Sequence, residues 1–398
     1  MKLVVDRKKL KAILSATRSC LPVKPQSEYE ANPSFRVSSG VLVVSSTDFS
    51  QGLELSCPVD GDGDFAVSFD IKKLEKIVAK TDTGSVEIEY VQEKGSVRVS
   101  ASDEKKGFVE LPAIPYAKVP VFDAEALSGT PVCTLPGSVL KEGVDFASTY
   151  LPAILERNPK YDFVQVRNGL VYAANGANRR GFFASPSISA TTEVKILKKF
   201  ALCLPKALTA FPTDASAEIF ESSRTYTIRS TDGVFTYRCI KARTEPSEIP
   251  MEYLIPKGSH TVVDVTKLAR LMEKVVIPEY QSAGVAIGVR LVMRPPEDIV
   301  TGSSSVDLSL VTAKRQEAQE SLACLRLGET AESREVDKVV DFKMFKDMVS
   351  SLPTGGSDTK VFMNDPDSKF FKMQRILEVG GHKCVALAVG AYARIAKV

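Results

Sequence analysis

Histidine and paired cysteine are scarce in this 398-residue chain, and their scarcity argues against several kinds of site. The only histidines, His260 and His382, leave little material for imidazole catalysis or for metal binding. The seven cysteines form no CxxC pair and are odd in number, which argues against a disulfide framework and a zinc site. We expect the cysteines to be small buried side chains, and we expect neither a metal nor a cofactor.

Long apolar runs and catalytic motifs are also missing. The longest apolar run, Cys384 to Ala393, is too short to cross a bilayer. The charged residues Asp6 and Arg7 come before any segment of signal-peptide length. We therefore expect a cytoplasmic protein that makes no contact with a membrane. No Walker loop, dinucleotide-binding glycine motif or nucleophile elbow is present.

Only the first acidic residues of a calcium-binding loop can be found. Asp60, Asp62 and Asp64 have the required spacing. However, Phe65 stands where such a loop needs glycine, and Ile71 stands where it needs a bidentate glutamate. A polar turn is therefore the better interpretation. Because no convergent polar constellation is visible, we predict no catalytic residues and a protein that is not an enzyme.

What the chain does contain is one pattern that occurs three times. Amphipathic helices are predicted around Leu10, Leu140 and Leu268, which are 130 and 128 residues apart. Each is followed by alternating strands, a second short helix and more strands. In the second repeat, the strand from Phe163 to Val166 is predicted to turn at Asn168–Gly169 into the strand from Leu170 to Tyr172. A period of this length predicts three α+β domains of one kind, each an antiparallel sheet with two helices on one face. The predicted modules are residues 1–124, 125–255 and 256–398.

The predicted helices have apolar faces and basic faces. In the first helix, Asp6 is the expected N-cap, and Leu10, Ile13 and Leu14 form the apolar stripe. A solvated surface would explain one such helix, but modules one and three both carry two of them. Repeated positive faces without a base-reading motif favour contact with phosphates. The basic residues on these faces are Lys8, Lys11, Arg18, Lys72, Lys73, Lys76, Lys206, Lys267, Arg270 and Lys343.

The chain resembles the bacterial sliding clamp, the beta subunit that makes the replicative DNA polymerase processive. The likeness covers nearly the whole chain and depends on pattern more than on identity. It is carried by the stretches 1–14, 40–48, 108–112, 288–291 and 317–320. The segment Asn175 to Arg180 is similar to the family's Thr-Asp-Gly-His-Arg-Leu segment.

This resemblance implies a head-to-tail homodimer that forms a six-module ring around double-stranded DNA. The implied partners are a DNA polymerase, a clamp loader, and replication and repair proteins that carry short clamp-binding motifs. The implied location is the nucleoid. A clamp-fold scaffold that binds peptides without encircling DNA, and an enzyme with an unrecognised site, are the two alternatives.

The resemblance also implies roles for individual residues. Lys24, Lys72 and Lys73 match DNA-contacting positions, and Arg157, Lys160 and Tyr161 lie in a loop of module two that makes similar contacts. The implied peptide-binding residues are Phe163, Asn175, Ala177, Asn178, Arg179, Arg180 and Pro256. The implied dimer interface includes Val276 and Ile277.

Two of the matched positions depart from the family pattern. Asn178 replaces a usual histidine, and Arg180 replaces a usual apolar residue. The residues from Tyr392 to Val398 also extend past the expected end. A divergent member of the family, of the kind that a phage or another mobile element encodes, would account for these departures.

Overall fold

The structure is a computed structural model that describes most of the chain. The described residues are 1–25, 28–81, 84–101, 107–115, 127, 129–152, 159–176, 179–242, 260–264, 267–268, 270–271, 273, 288–293, 303–311, 319–327, 336–354, 359–362 and 370–392. Among them, no helix is long and apolar enough to span a membrane.

In the N-terminal part of the chain, the described residues form three α-helices and ten strands. The helices are α1 (Arg7–Ser19), α2 (Glu28–Ala31) and α3 (Ile71–Lys80). The strands are β1 (Lys2–Asp6), β2 (Ser34–Ser38), β3 (Val41–Thr47), β4 (Gln51–Pro58), β5 (Asp60–Asp62), β6 (Phe65–Ser68), β7 (Ser85–Val91), β8 (Ser96–Ala101), β9 (Phe108–Pro112) and β10 (Ile114–Pro115). Helix α1 begins after Asp6 because that carboxylate accepts a hydrogen bond from the Lys9 amide at 2.8 Å, which confirms the predicted N-cap.

The middle of the chain repeats this order of elements. Its helices are α4 (Gly137–Ser148), α5 (Lys198–Ala201) and α6 (Leu204–Ala207). Its strands are β11 (Cys133–Pro136), β12 (Phe163–Arg167), β13 (Leu170–Asn175), β14 (Arg179–Ala184), β15 (Ser189–Ala190), β16 (Val194–Leu197), β17 (Ser216–Glu221), β18 (Thr225–Ser230) and β19 (Phe235–Ile240). Gly169 has a φ of 73° in the turn between β12 and β13, as the predicted Asn168–Gly169 turn requires.

The C-terminal part contains eight strands and one long described helix. They are β20 (His260–Val263), β21 (Gly288–Met293), β22 (Ser303–Val311), β23 (Gln319–Leu327), β24 (Val336–Asp341), α7 (Phe342–Ser351), β25 (Thr359–Phe362), β26 (Phe370–Val379) and β27 (His382–Ala391). Asp341 caps α7 by accepting a hydrogen bond from the Met344 amide at 2.7 Å. Residues 267, 268, 270, 271 and 273 are helical, which agrees with the predicted helix around Leu268.

The chain divides into two compact units, and unit 1 contains two sheets. Unit 1 comprises Met1–Val144, Val166–Asn168 and Ser187–Arg243. Its first sheet has the order β5-β1-β7-β8-β9, and its second has the order β10-β6-β2-β3-β4-β19-β18-β17-β11-β15. The described pairings in both sheets are antiparallel, as predicted. However, the pairing of β4 with β19 carries the second sheet across residue 124, so the first two predicted modules share a sheet.

Unit 2 is built on one long antiparallel sheet. It comprises Asp145–Gln165, Gly169–Pro186 and Thr244–Val398. The strand order is β12-β13-β14-β27-β26-β25-β20-β23-β22-β21-β24. Helix α7 packs on β24 and β27, where Phe345 and Phe371 are fully buried and their rings stack with centroids 5.8 Å apart. The core of unit 2 therefore lies between α7 and the sheet.

The cysteines whose burial the structure describes behave largely as predicted. Cys20, Cys57, Cys133, Cys239 and Cys384 are buried and free, and Cys203 is only partly exposed. Burial raises the pKa of Cys20 and of Cys239 to about 12, and that of Cys133 to about 11. These three thiols therefore remain protonated near neutral pH and are poor nucleophiles.

Candidate nucleic-acid interface and peptide site

Helices α1 and α3 present basic side chains on neighbouring exposed faces of unit 1. The two helices pack against each other, with Leu10 and Leu74 fully buried. The Arg18 guanidinium donates a hydrogen bond to the Glu75 carboxylate at 2.9 Å and joins the two polar faces. The exposed residues that we predicted to contact phosphates are Lys8, Lys11, Arg18, Lys72, Lys73 and Lys76.

Two more predicted cations lie near this surface. Helix α6 packs against α1, and Lys206 of α6 is exposed. Lys24 is exposed shortly after the end of α1. The ammonium of Lys73 lies 3.9 Å from the carboxylate of Asp70, but both side chains are exposed, so this local pair holds the lysine only weakly. Unit 1 therefore brings basic residues from α1, α3 and α6 together.

Unit 2 contains a second basic surface. Lys267 and Arg270 are exposed on the helical residues before β21, and Lys343 is exposed on α7. An ion pair of 2.7 Å between Lys346 and Glu273 joins these two helical segments. An ion pair also joins α1 to α3 in unit 1, but there the cation, Arg18, is on the first helix and the carboxylate, Glu75, is on the second. The helix faces of the two units thus follow one plan.

The predicted DNA-contacting loop of module two is only partly described. Lys160 is exposed, whereas Tyr161 is half-buried and packs against the apolar cluster of unit 2. Arg157 lies outside the described residues. The Lys160 side chain is therefore in solvent, whereas part of the Tyr161 ring is buried against the core.

An apolar cluster in unit 2 lies beneath the predicted peptide-binding wall. Its buried members are Leu170, Tyr172, Ala174, Phe182, Leu387 and Val389, and Tyr161, Ala184 and Phe370 pack against it. The guanidinium carbon of Arg180 lies 5.7 Å from the centroid of the Phe370 ring, within the range of a cation–π interaction. Arg180 thus brings a positive charge to the edge of an apolar cluster.

Arg179 has a different role from its neighbour, because protein groups hold its guanidinium. It donates a hydrogen bond to Asp347 of α7 at 3.2 Å and lies 5.3 Å from the centroid of the Tyr150 ring. The Tyr150 hydroxyl is in turn 2.6 Å from the hydroxyl of Ser351. Burial raises the pKa of Tyr150 above its usual range, so the phenol stays neutral. These contacts fix the start of β14 against α7.

The remaining predicted peptide-binding residues divide into three groups. Asn175 lies opposite Arg179 in the β13–β14 hairpin, so the structure brings these two together. Phe163 is 2% exposed, so it offers no surface to a peptide. Ala177, Asn178 and Pro256, and the predicted dimer residues Val276 and Ile277, lie outside the described residues.

Gly181 is required for the packing of this site. A β-carbon at Gly181 would overlap the Tyr150 ring, which is fully buried and has no room to move. We expect Gly181→Ala to lower the free energy of unfolding by about 1–3 kcal/mol, as overpacking usually does. Chemical denaturation measures this loss. Gly84→Ala is the matched control, since a β-carbon there meets nothing within 4 Å, and an equal loss in both variants would contradict the explanation.

Sequence reasoning missed two exposed apolar residues at a sheet edge. Phe108 and Val109 of β9 are 56% and 46% exposed. Strand β9 is the last strand of the five-stranded sheet, so one of its backbone edges is open within that sheet. Two adjacent apolar residues break the alternation expected of a half-buried strand, and this was the available signal. An open apolar edge is a natural site for pairing with another chain.

Metal chemistry finds no support among the described residues. They contain no group of three or more histidine, cysteine, aspartate or glutamate side chains that could hold a metal ion. The described residues offer instead exposed cations on helices and, in unit 2, an apolar cluster bordered by Arg180.

The chain is similar to known proteins in structure but not in sequence. No family model matches the chain, and no curated protein matches it in sequence. The beta subunit of DNA polymerase III from Thermotoga maritima superposes with a TM-score of 0.73 at 16% identity, over 99% of this chain and 100% of that one. The chain has the fold of the bacterial DNA sliding clamps.

Two further clamp structures agree with this assignment. The sliding clamp of Bacillus subtilis gives a TM-score of 0.72 at 14% identity, over the full length of both chains. A sliding clamp from Pseudomonas aeruginosa bound to griselimycin gives 0.73 at 15% identity, over 99% of this chain and 100% of that one. The clamp fold thus accounts for the whole chain, while the low identity leaves the individual site residues to be argued from their geometry.

Proposed function

We propose that the protein is a DNA sliding clamp, a non-catalytic ring that encircles duplex DNA and tethers the replicative polymerase. The observation that carries the proposal is a strand pairing that occurs twice inside the chain. Residues Gln51–Leu55 of β4 pair with β19, and residues Arg179–Ala184 of β14 pair with β27. In both cases the fourth strand of one module pairs with the last strand of the next.

Two strands remain without such a partner among the described residues, one in module one and one in module three. The last strand of module one that is longer than two residues, β9, is an edge strand of its sheet. The fourth strand of module three, β23, pairs with β20 only at Leu325–Leu327. Within the described part of the chain, no strand covers the same edge at Gln319–Cys324. A second copy placed head to tail would supply β9 to β23, and the reverse pairing would close a ring of two chains.

The basic helix faces suit the interior of such a ring. Phosphate attraction is long-ranged and independent of base sequence, so it holds the ring near the duplex axis and still allows movement along it. Topology, and not affinity, then keeps the polymerase on its template. We assign this role to the exposed lysines and arginines of α1, α3, α6 and α7, to Lys24, and to the loop that contains Arg157 and Lys160.

The proposed docking site for partners is the partly buried border of the apolar cluster, where Tyr161, Ala184 and Phe370 lie on the side of Arg180. A polymerase, a clamp loader, and replication and repair proteins would each insert a short segment with apolar anchors. A few anchors in a preformed site typically give affinities on the order of micromolar, which suits partners that exchange. The three modules at residues 1–124, 125–255 and 256–398, and action at the nucleoid in the cytoplasm, complete the proposal.

Arg180 predicts the charge of the preferred peptide. Since its guanidinium borders the apolar cluster, an acidic residue beside the hydrophobic anchor should improve binding. We expect wild type to bind an acidic clamp-binding peptide about tenfold more tightly than a neutral one, and Arg180→Leu to lose this preference. Calorimetry measures both affinities. Arg36→Leu, at an exposed arginine of unit 1, should keep the preference. Equal affinity of the wild type for the acidic and the neutral peptide would contradict the role of Arg180. If no variant bound either peptide, the proposed docking site would be wrong.

The alternative function is a clamp-fold scaffold that binds peptides without encircling DNA. The molecular mass in solution distinguishes the two. Light scattering at micromolar concentration should give a dimer for a clamp. A monomer that still binds clamp-binding peptides would favour the scaffold.

A further inference from the structure

Hydrogen bonds fix the loop between β3 and β4 in a single conformation. The Asp48 carboxylate accepts hydrogen bonds from the amides of Ser50 at 3.0 Å and Gln51 at 2.8 Å. The Thr47 hydroxyl accepts one from the Phe49 amide at 3.0 Å. Burial alone would raise the pKa of Asp48, but hydrogen bonds from Lys199, Ser50 and the Gln51 amide lower it below its usual value. The carboxylate is therefore charged at neutral pH and holds the loop.

The residue that this network holds is an exposed phenylalanine in a strained conformation. Phe49 has a φ of 63°, which is a genuine outlier for a bulky residue, and its side chain is 67% exposed. Strain of this kind persists where the surrounding structure enforces it, and it is concentrated at binding and switch sites. Because the ring is mostly in solvent, the fold gains little from placing it there.

Two more exposed apolar side chains belong to segments that contact the Phe49 loop. Ile240 is 41% exposed, and its amide donates to the Ser50 carbonyl at 3.0 Å. Leu202 is 51% exposed and lies one helical turn after Lys199, whose ammonium contacts Asp48 at 2.8 Å. We call these three residues the Phe49 patch. It is formed entirely within unit 1.

The Phe49 patch occupies in unit 1 the place that the candidate peptide site occupies in unit 2. Both stand where a strand hairpin meets the last strand of the next module, at β4–β19 and at β14–β27. In each unit an ion pair ties the hairpin loop to the second helix of that module. The pairs are Asp48–Lys199 in unit 1 and Arg179–Asp347 in unit 2.

The charges around the patch favour an acidic occupant. Lys199 contacts the loop at Asp48, and Lys241 follows Ile240 in the sequence. The Arg224 carbonyl accepts a hydrogen bond from the Lys241 amide at 2.8 Å, which brings Arg224 to the same edge. Two carboxylates, Asp48 and Glu221, pair with Lys199 and Lys241. The three cations exceed the two carboxylates by one, and two of the cations, Lys199 and Arg224, are exposed, so the apolar surface has a positive border.

We propose that the Phe49 patch is a second docking site, which binds a short extended segment of a partner protein that carries an apolar side chain next to a carboxylate. The strained loop presents Phe49 as a rigid anchor, so the partner does not have to order it. Two similar sites on one chain would let a ring hold two partners, or two segments of one partner, at the same time.

A fluorine label beside the patch tests the proposal. Ser223→Cys, at an exposed turn next to Arg224, carries a trifluoromethyl tag, and the probes are acetyl-Asp-Leu-Phe-Asp-amide and its neutral Asn-Leu-Phe-Asn counterpart. We expect a saturable shift of the tag signal with the acidic peptide and at least tenfold weaker binding of the neutral one. The same tag at Lys94→Cys, on the β7–β8 turn, should not respond.

Phe49→Gly provides the matched variant, because glycine adopts a positive φ without strain. We expect the tagged Phe49→Gly protein to lose the shift and to unfold a few degrees above wild type. Absence of a shift in wild type at millimolar peptide, or an equal shift in Phe49→Gly, would overturn the proposal. Equal affinity for both peptides would overturn the claim that the occupant carries a carboxylate. The tag reports peptide binding at this patch alone, so failure of the ring on DNA would leave the result intact.

Discussion

Replacing Phe108 and Val109 together by aspartate should convert the proposed dimer into monomers. Both side chains are largely exposed in the isolated chain, so the fold should tolerate the change. In a ring they would lie at the strand pairing between β9 and β23, where unpaired charges cost several kcal/mol to bury. We expect the dimer dissociation constant to rise about 100-fold or more, measured by sedimentation equilibrium.

The control is the variant Val23→Asp with Val41→Asp, which changes two other exposed aliphatic residues of unit 1. It should remain dimeric. On the opposite half of the proposed interface, Val276→Asp with Ile277→Asp should also yield monomers. If the Phe108→Asp, Val109→Asp variant sediments as a dimer, as the wild type is expected to, then β9 is not part of the interface.

Replacing Lys24, Lys72 and Lys73 together by alanine should weaken DNA retention and leave the fold intact. All three side chains are exposed, so the unfolding temperature should change little. Each lost phosphate contact should reduce the slope of log affinity against log salt by about 0.9. The triple variant should therefore show a slope lower by about 2 to 3 than that of wild type, measured by fluorescence anisotropy on duplex DNA.

A matched triple variant separates this effect from a general loss of charge. Arg36, Lys94 and Lys383 are exposed cations outside the predicted DNA faces. Replacing them by alanine lowers the net charge equally and should change the salt slope much less. Equal slopes in the two triple variants would refute the assignment of Lys24, Lys72 and Lys73.

Local patterns predicted the helices and turns of this chain. Helix α1 required only the Asp6 cap and an apolar stripe of period 3.6, and the β12–β13 turn required only Asn168–Gly169. Such signals lie within a few residues of the feature they predict. The same is true of the basic faces, whose lysines are exposed because the opposite faces are apolar.

The contacts that shape the candidate sites are long-range, and local patterns do not contain them. Arg179 finds Asp347 168 residues away, and Tyr150 finds Ser351 201 residues away. The pairing of β4 with β19 likewise joins distant segments, and the alternation within each predicted strand gives no sign of this shared sheet. The positive φ of Phe49 was also unforeseen, because the hydrogen bonds of Asp48 and Thr47 impose it on a residue that disfavours it.

Retention on circular DNA is the most direct test of the proposed clamp. The protein is bound to a nicked circular plasmid, and the complex is then passed through gel filtration at a salt concentration that suppresses phosphate attraction. The wild-type protein should stay on the circle and should be released when a restriction enzyme cuts the plasmid once. A closed ring can leave DNA only through a free end. Release from the intact circle as fast as from the linear form would contradict encirclement.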